Sequence, residues 1–346
     1  MIVINNFNDS AIKRRHVHVT FMLLALAVMS YYYYGIRAVI VTALSVFTSV
    51  LVEYICCLAT NKKYDWSDFS PIASGLILAM LMPASVPYRI VIFSSAFMAS
   101  VCKHAFGGSG NVIFSPVAVS YIFSALAWPS FVLRYPTPQF FGSLPLETEI
   151  SGALGRSFTY LVDNSLSSAN YLDILLGRLS GPMGTYALAV IIIAAVSLLL
   201  LKDIPVSAFV SALAVNCALN VIFPLTYTGF EAVFYSILTG SFTFVLTFML
   251  CDPELAPKQT LARVIYGITF SIITFVLRRL CGLENSAVYA VVIAQIFVAD
   301  LDRFSAYISN ISYSLNNKTF GKVRKFIVFL KFWKAEKKKE VNGDEQ

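Results

Sequence analysis

The chain has 346 residues, 58% of them hydrophobic and 13% charged, with 3 histidines and a formal net charge of +7. Soluble domains carry about 25% charged residues, so this composition excludes a soluble globular domain and points to an integral membrane protein. The positive surplus sits mostly at the two ends, which fits basic segments retained on the inner side of a membrane better than nucleic-acid binding.

Residues 1–18 are polar, with Lys13, Arg14 and Arg15, and show no small-residue cleavage site after a short apolar core. The first span is therefore expected to act as its own anchor. Apolar runs follow at Val19–Tyr34, Ala38–Ala59, Pro71–Pro83, Tyr88–Lys103 and Pro116–Pro129, a first membrane half over 19–129. A loop-like stretch over 130–185 carries prolines and charges. A second half over 186–305 contains Tyr186–Leu201, Pro205–Pro224, Glu231–Cys251, Leu261–Leu280 and Ala287–Leu301. A full crossing takes ~20 apolar residues and half-helices need fewer, so several of these runs read as short or broken helices. The predicted fold is an all-α polytopic membrane protein of about ten spans, in two inverted five-helix halves of the kind transporters use.

Orientation follows from Lys and Arg. Lys13-Arg14-Arg15, Lys62-Lys63, Lys103, Lys202, Lys258 with Arg263, and the basic tail fall on one side if every run crosses, and only Arg278-Arg279 dissents. That side is assigned to the cytoplasm, with both termini inside and 130–185 outside, in a multi-pass protein of the cell membrane. The tail, 306–346, interleaves Lys318, Lys322, Arg324, Lys325 and Lys331 with Phe320, Phe326, Phe329 and Trp333. It reads as a basic amphipathic helix for an anionic inner leaflet, with partner docking as the alternative.

Between the fourth and fifth runs lies Lys103-His104-Ala105-Phe106-Gly107-Gly108-Ser109-Gly110-Asn111-Val112-Ile113-Phe114-Ser115-Pro116. Open backbone persists at membrane depth only under cover of protein or ligand. Gly107, Gly108 and Gly110 are expected to take positive φ and to turn N–H groups toward a pocket, with Pro116 opening the next helix. Lys103 and His104 either hold an anionic group there or pin the turn. Intramembrane acids are functional candidates by default, here Glu53 and Asp252, each with an ion-path reading. Glu53 could also simply reach the interface. Cys56-Cys57 could be a redox pair or ordinary buried cysteines, and no C-x-x-C or His cluster suggests a metal.

The ordered series Asp65-Trp66-Ser67, Ser74-Gly75-Leu76-Ile77-Leu78-Ala79, Pro83 with Pro87, Lys103 to Pro116, and Trp128-Pro129 resembles the D-type membrane subunit of the Rnf electron-transport complex and its relative, the B-type subunit of the sodium-pumping NADH:quinone reductase. Cys251-Asp252-Pro253 with Ala262-Arg263-Val264-Ile265-Tyr266-Gly267 resembles the family's second-half motif. The resemblance implies electron transfer across the membrane coupled to Na⁺ or H⁺, other membrane subunits of an Rnf-type complex as partners, and FMN or riboflavin as cofactor. It also implies cofactor contacts at Lys103, His104, Gly107, Gly108, Gly110, Asn111, Ser115 and Asp252, and in the external loop at Ser151, Gly152 and Ala153.

Two departures bear on those cofactors. The family's phosphoester-forming threonine falls on Leu154, which has no hydroxyl, so any flavin is expected to be noncovalent. The two asparagines of the central turn fall on Val112 and Ser115, with Asn111 one place early and so turned by about 100°. Two other readings stand beside electron transport: a scaffold that kept the fold and lost its flavins, and a small-solute channel.

Overall fold

In the computed structural model the described residues are 5–108, 112–138, 144–146, 154–157, 176, 178–185, 187–224, 233 and 241–309. Their regular structure is helical, with one isolated antiparallel bridge between Tyr135 and Gly155. The first five long helices are α1 (Asn5–Tyr34), α2 (Ile36–Ala59), α3 (Ser70–Leu81), α4 (Tyr88–Phe97) and α5 (Pro116–Ala127). After the loop come α6 (Leu188–Leu200), α7 (Val206–Ile222), α8 (Thr260–Cys281) and α9 (Ser286–Ile296), with helix resuming over 298–309. Ala11–Tyr34, Ile36–Ala59, Tyr88–Phe106 and Thr260–Cys281 are long and apolar enough to cross a membrane, and α3, α5, α6, α7 and α9 are shorter apolar helices. The chain is an all-α polytopic membrane protein, as its composition requires.

The outer surface is apolar, and the interior mixes an apolar core with hydrogen-bonded polar residues, as lipid permits for helices that gain nothing by hiding Leu from hydrocarbon. Phe21, Leu126 and Leu200 are 65%, 71% and 78% exposed. The buried stripe of α2 is Arg37, Ala38, Val41, Thr42, Ser45, Thr48, Ser49 and Glu53. Its hydroxyls bind neighbouring backbone: Ser45 Oγ donates to Gly75 O at 2.7 Å and Ser49 Oγ to Pro71 O at 2.9 Å. In the second half Ser271 Oγ of α8 donates to Ala212 O of α7 at 2.6 Å. A Cβ on Gly267 would lie 2.6 Å from Ala208 O, so α8 approaches α7 too closely there for any other residue.

Three features differ from the sequence reading. The first helix starts at Asn5, ahead of the apolar run at Val19. Three of its basic side chains have acidic partners: Lys13 pairs with Asp65, Arg15 with Asp252 at 3.0 Å, and His18 with Asp203 at 2.5 Å. Each half also contains a π-helical stretch, Met98–Lys103 after α4 and Leu246–Leu250 after the short helix Phe242–Val245; a single extra residue per turn has no signature in hydrophobic periodicity. Arg37, just outside the predicted second run, is fully buried. It donates to the carbonyls of Ala84, Ser85 and Val86 in the α3–α4 turn and of Pro145, satisfying backbone that no helix satisfies. The tail 310–346, most of the 130–185 loop and nearly all of 225–240 lie outside the described residues.

Candidate functional site

The π stretch of the first half delivers Lys103 to a buried acid. Lys103 Nζ lies 2.8 Å from Glu53 Oε1 of α2 and donates to Ser70 Oγ at 2.9 Å. His104 Nε2 is 3.3 Å from the same carboxylate oxygen. Glu53 is 6% and Lys103 5% exposed, so the carboxylate is covered by protein. Each side chain is the other's buried partner of opposite charge.

The glycines that follow end the helix. Gly107 N–H donates to His104 O at 3.0 Å and Gly108 N–H to Lys103 O at 3.1 Å, the paired bonds of a Schellman cap. Gly107 and Gly108 have φ of 109° and 88°, values that only glycine takes without strain. Positive φ is as expected, but these two N–H groups close the helix and do not turn toward a pocket. Lys62 Nζ caps the turn from outside by donating to Gly107 O at 2.8 Å. Thus the turn packs on the α2–α3 connection, at the helix ends. Pro116 opens α5, with Ser115 as N-cap; the Ser115 N–H donates to Gln295 Oε1 of α9 at 2.7 Å, tying the two halves together.

The second π stretch leads to Asp252-Pro253 in the same way. Asp252 Oδ1 accepts from Arg15 Nη1 at 3.0 Å, and its backbone carbonyl accepts from Leu255 and Ala256 N–H. Both stretches end at one internal cavity of about 60 Å³, lined among others by Arg15, His16, Ser70, Lys103, Ser115 and Asp252. Arg15 is 2% exposed, and its Nε and Nη2 have no partner among the described residues. In the loops around it, burial alone would raise the Asp68 carboxyl. The His16 ring, 3.7 Å away, the Ser70 N–H and Lys103 hold it below its usual range instead. Burial, then the Asp252 charge, pushes Glu254 up. The cavity is small and lined by several ionisable groups. It is far below the ~300 Å³ where small-ligand sites begin.

Of the residues marked from sequence, Lys103, Ser115 and Asp252 meet at the cavity, His104 stands behind Glu53, and Gly107 and Gly108 form the cap. Gly110, Asn111, Ser151, Gly152 and Ala153 lie outside the described residues. Leu154 is at the opposite end of the helices: Gly155 bridges to Tyr135 beyond α5, and Arg156 lies 3.6 Å from Glu284 beyond α8. The Glu284 carboxyl is pushed up by burial, against the Ser157 and Arg156 contacts. Arg15 and His16 were missed as site residues because on sequence they belong to a basic N-terminus. Cys56 and Cys57 are half-buried free thiols, and no cluster of three or more potential metal ligands occurs among the described residues.

The family model described as "NQR2, RnfD, RnfE family" matches residues 7–308, from the start of α1 to the end of the last described helix. The chain belongs to that family. Among its relatives, the D-type subunit of an ion-translocating oxidoreductase complex from Methanosarcina acetivorans is 25% identical over 256 residues, covering 73% of this chain and 76% of that one. The protein of the same name from Actinobacillus succinogenes is 28% identical over 323 residues, 82% and 89% of the two chains. The D-type subunit of a proton-translocating ferredoxin:NAD(+) oxidoreductase complex from Clostridium ljungdahlii is 22% identical over 303 residues, 86% and 91%. For the flavin that the sequence resemblance implies, the described residues among those it marks fit poorly. Leu154 offers no oxygen for a phosphoester, and the cavity beside Ser115 does not have the volume of a flavin ring.

Proposed function

We propose that this chain is the D-type membrane subunit of an Rnf-type ion-translocating oxidoreductase complex in the cell membrane, assembled with the complex's other membrane subunits. In this reading it supports electron transfer across the membrane coupled to Na⁺ or H⁺. The observation that carries it is the family match over 7–308, with relatives bearing that subunit's name covered along most of their length. The buried pairs Glu53–Lys103 and Arg15–Asp252 add a residue-level argument. They place ionisable groups where helix ends of both halves meet, and desolvated charges are kept when they serve a function.

The test is affinity purification of the tagged full chain from native membranes in a mild detergent, with its partners identified by mass spectrometry. Other Rnf-type subunits should co-purify, and membranes lacking the chain should lose ferredoxin-dependent NAD⁺ reduction. A chain that purifies alone and whose loss leaves that activity unchanged would refute the reading.

A second reading, a scaffold without flavin, is favoured by Leu154 and by the size of the cavity. The flavin content of the purified chain separates the two. A noncovalent flavin, released on denaturation, supports the redox role, whereas a flavin-free chain in an active complex supports the scaffold. Flavin fluorescence that stays with the denatured band would show an acceptor other than Leu154.

A further inference from the structure

A second, larger cavity opens beside the first. It has a volume of about 430 Å³ and lies between the start of α1, the α6–α7 turn, the 253–258 loop and the start of α8. Arg14, Arg15, Lys202, Lys258 and Arg263 line it, with Asp203 the one carboxylate among the described residues of its wall. Asp203 is held by His18 at 2.5 Å, and the nearby Asp302 accepts the backbone N–H groups of Lys258 and Gln259. The cations are largely uncommitted among the described residues. Arg14, Lys202 and Lys258 make no side-chain hydrogen bond or ion pair there, and Arg263 uses only Nε, donating to Pro257 O at 2.8 Å. Arg15, 2% exposed, gives Nη1 to Asp252 and keeps Nε and Nη2 unpartnered. The rest of the wall is apolar, with Ile12, Ile204, Pro205 and Val206 among its residues.

Like charges gathered around one cavity repel each other unless an anion joins them, and a buried guanidinium with free N–H groups is costly without an acceptor. Guanidinium and ammonium groups together suit a phosphate. Basic pockets between transmembrane helices, with an apolar wall for the glycerol and upper acyl chain, suit anionic lipid headgroups. The volume falls within the roughly 300–1,000 Å³ of small-ligand sites. The chain's own tail is a poor occupant, since Lys318 to Lys339 is strongly basic. We propose that the cavity formed by Arg14, Arg15, Lys202, Lys258 and Arg263 is a binding site for the phosphate of an anionic phospholipid. The site is separate from the tail and does not depend on the redox reading.

The test titrates the full chain, in a mild zwitterionic detergent, with short-chain phosphatidylglycerol, with phosphatidylcholine of the same chain length, and with inorganic phosphate. Binding is read from the rise in thermal unfolding midpoint. Phosphatidylglycerol should raise the midpoint and phosphatidylcholine should not. At about fivefold per basic residue, Arg14→Gln with Lys258→Gln should weaken the apparent affinity about 30-fold. These two side chains are exposed and hold no partner among the described residues, so their loss should not lower the unliganded midpoint. Lys202→Gln with Arg263→Gln serves as the second pair and should give a similar loss. Replacing Lys337, Lys338 and Lys339 with Gln should leave binding intact. An equal rise with inorganic phosphate would overturn the lipid assignment in favour of a free anion. Wild-type titration curves in both cavity pairs, or loss only in the tail variant, would overturn the site.

Discussion

Replacing Lys103 with Met removes the cation from a carboxylate that is 6% exposed and 2.8 Å away. Losing one partner of a buried pair costs about 3–5 kcal/mol, because the other charge is left desolvated. His104 Nε2, at 3.3 Å from the same oxygen, can take over part of the role, which places Lys103→Met near the lower end. Glu53→Gln strands the Lys103 ammonium with only Ser70 Oγ at 2.9 Å and belongs in the same range. Removing both charges leaves no orphan, so the double variant should be less destabilised than the sum of the two singles by about 2 kcal/mol or more. For a chain of this size each kcal/mol moves the unfolding midpoint by about 2 °C, so each single change should lower it by about 6 °C. The assay is thermal unfolding of the detergent-solubilised full chain, followed by tryptophan fluorescence. Single variants within about 2 °C of wild type, or a double variant equal to the sum of the singles, would refute a desolvated, mutually dependent pair.

Gly267→Ala should destabilise the α7–α8 contact by about 1–3 kcal/mol, since the new Cβ would collide with Ser211 Oγ and meet Ala208 O at 2.6 Å and Ala212 N at 3.0 Å. Adding Ser211→Ala should restore only part of this, because two of the three obstacles are backbone; an unchanged midpoint in Gly267→Ala would show the helices to be further apart. Cysteines placed at the exposed Lys63 and Leu146, in a Cys281→Ser background, should react with an impermeant maleimide from opposite faces of the membrane, and reaction of both from one face would refute the alternating spans.

Membrane residence and helix positions were legible in the sequence, because lipid leaves a chain of this composition no alternative to helices that satisfy their own backbone. Apolar run length located the described helices from Ile36–Ala59 to Ser286–Ile296 within a few residues, while most of the first half of the predicted Glu231–Cys251 run lies outside the described residues. Gly107 and Gly108 could be assigned positive φ for the same local reason, that glycine alone takes it without strain. Their role as a helix cap was not legible, since a cap and a ligand loop use the same residues. The partners of the charged groups were not legible either. Glu53 with Lys103, Arg15 with Asp252 and Ser115 with Gln295 lie 50, 237 and 180 residues apart, and no local periodicity encodes such pairings. Arg14 and Arg15 read on sequence as part of a basic N-terminus. Only tertiary packing, which brings the start of α1 against the 251–259 loop and the α6–α7 turn, decides that they line cavities. Local physics fixed where the chain is helical and where it turns, and long-range packing decided which helix ends face each other and hence where desolvated charge collects.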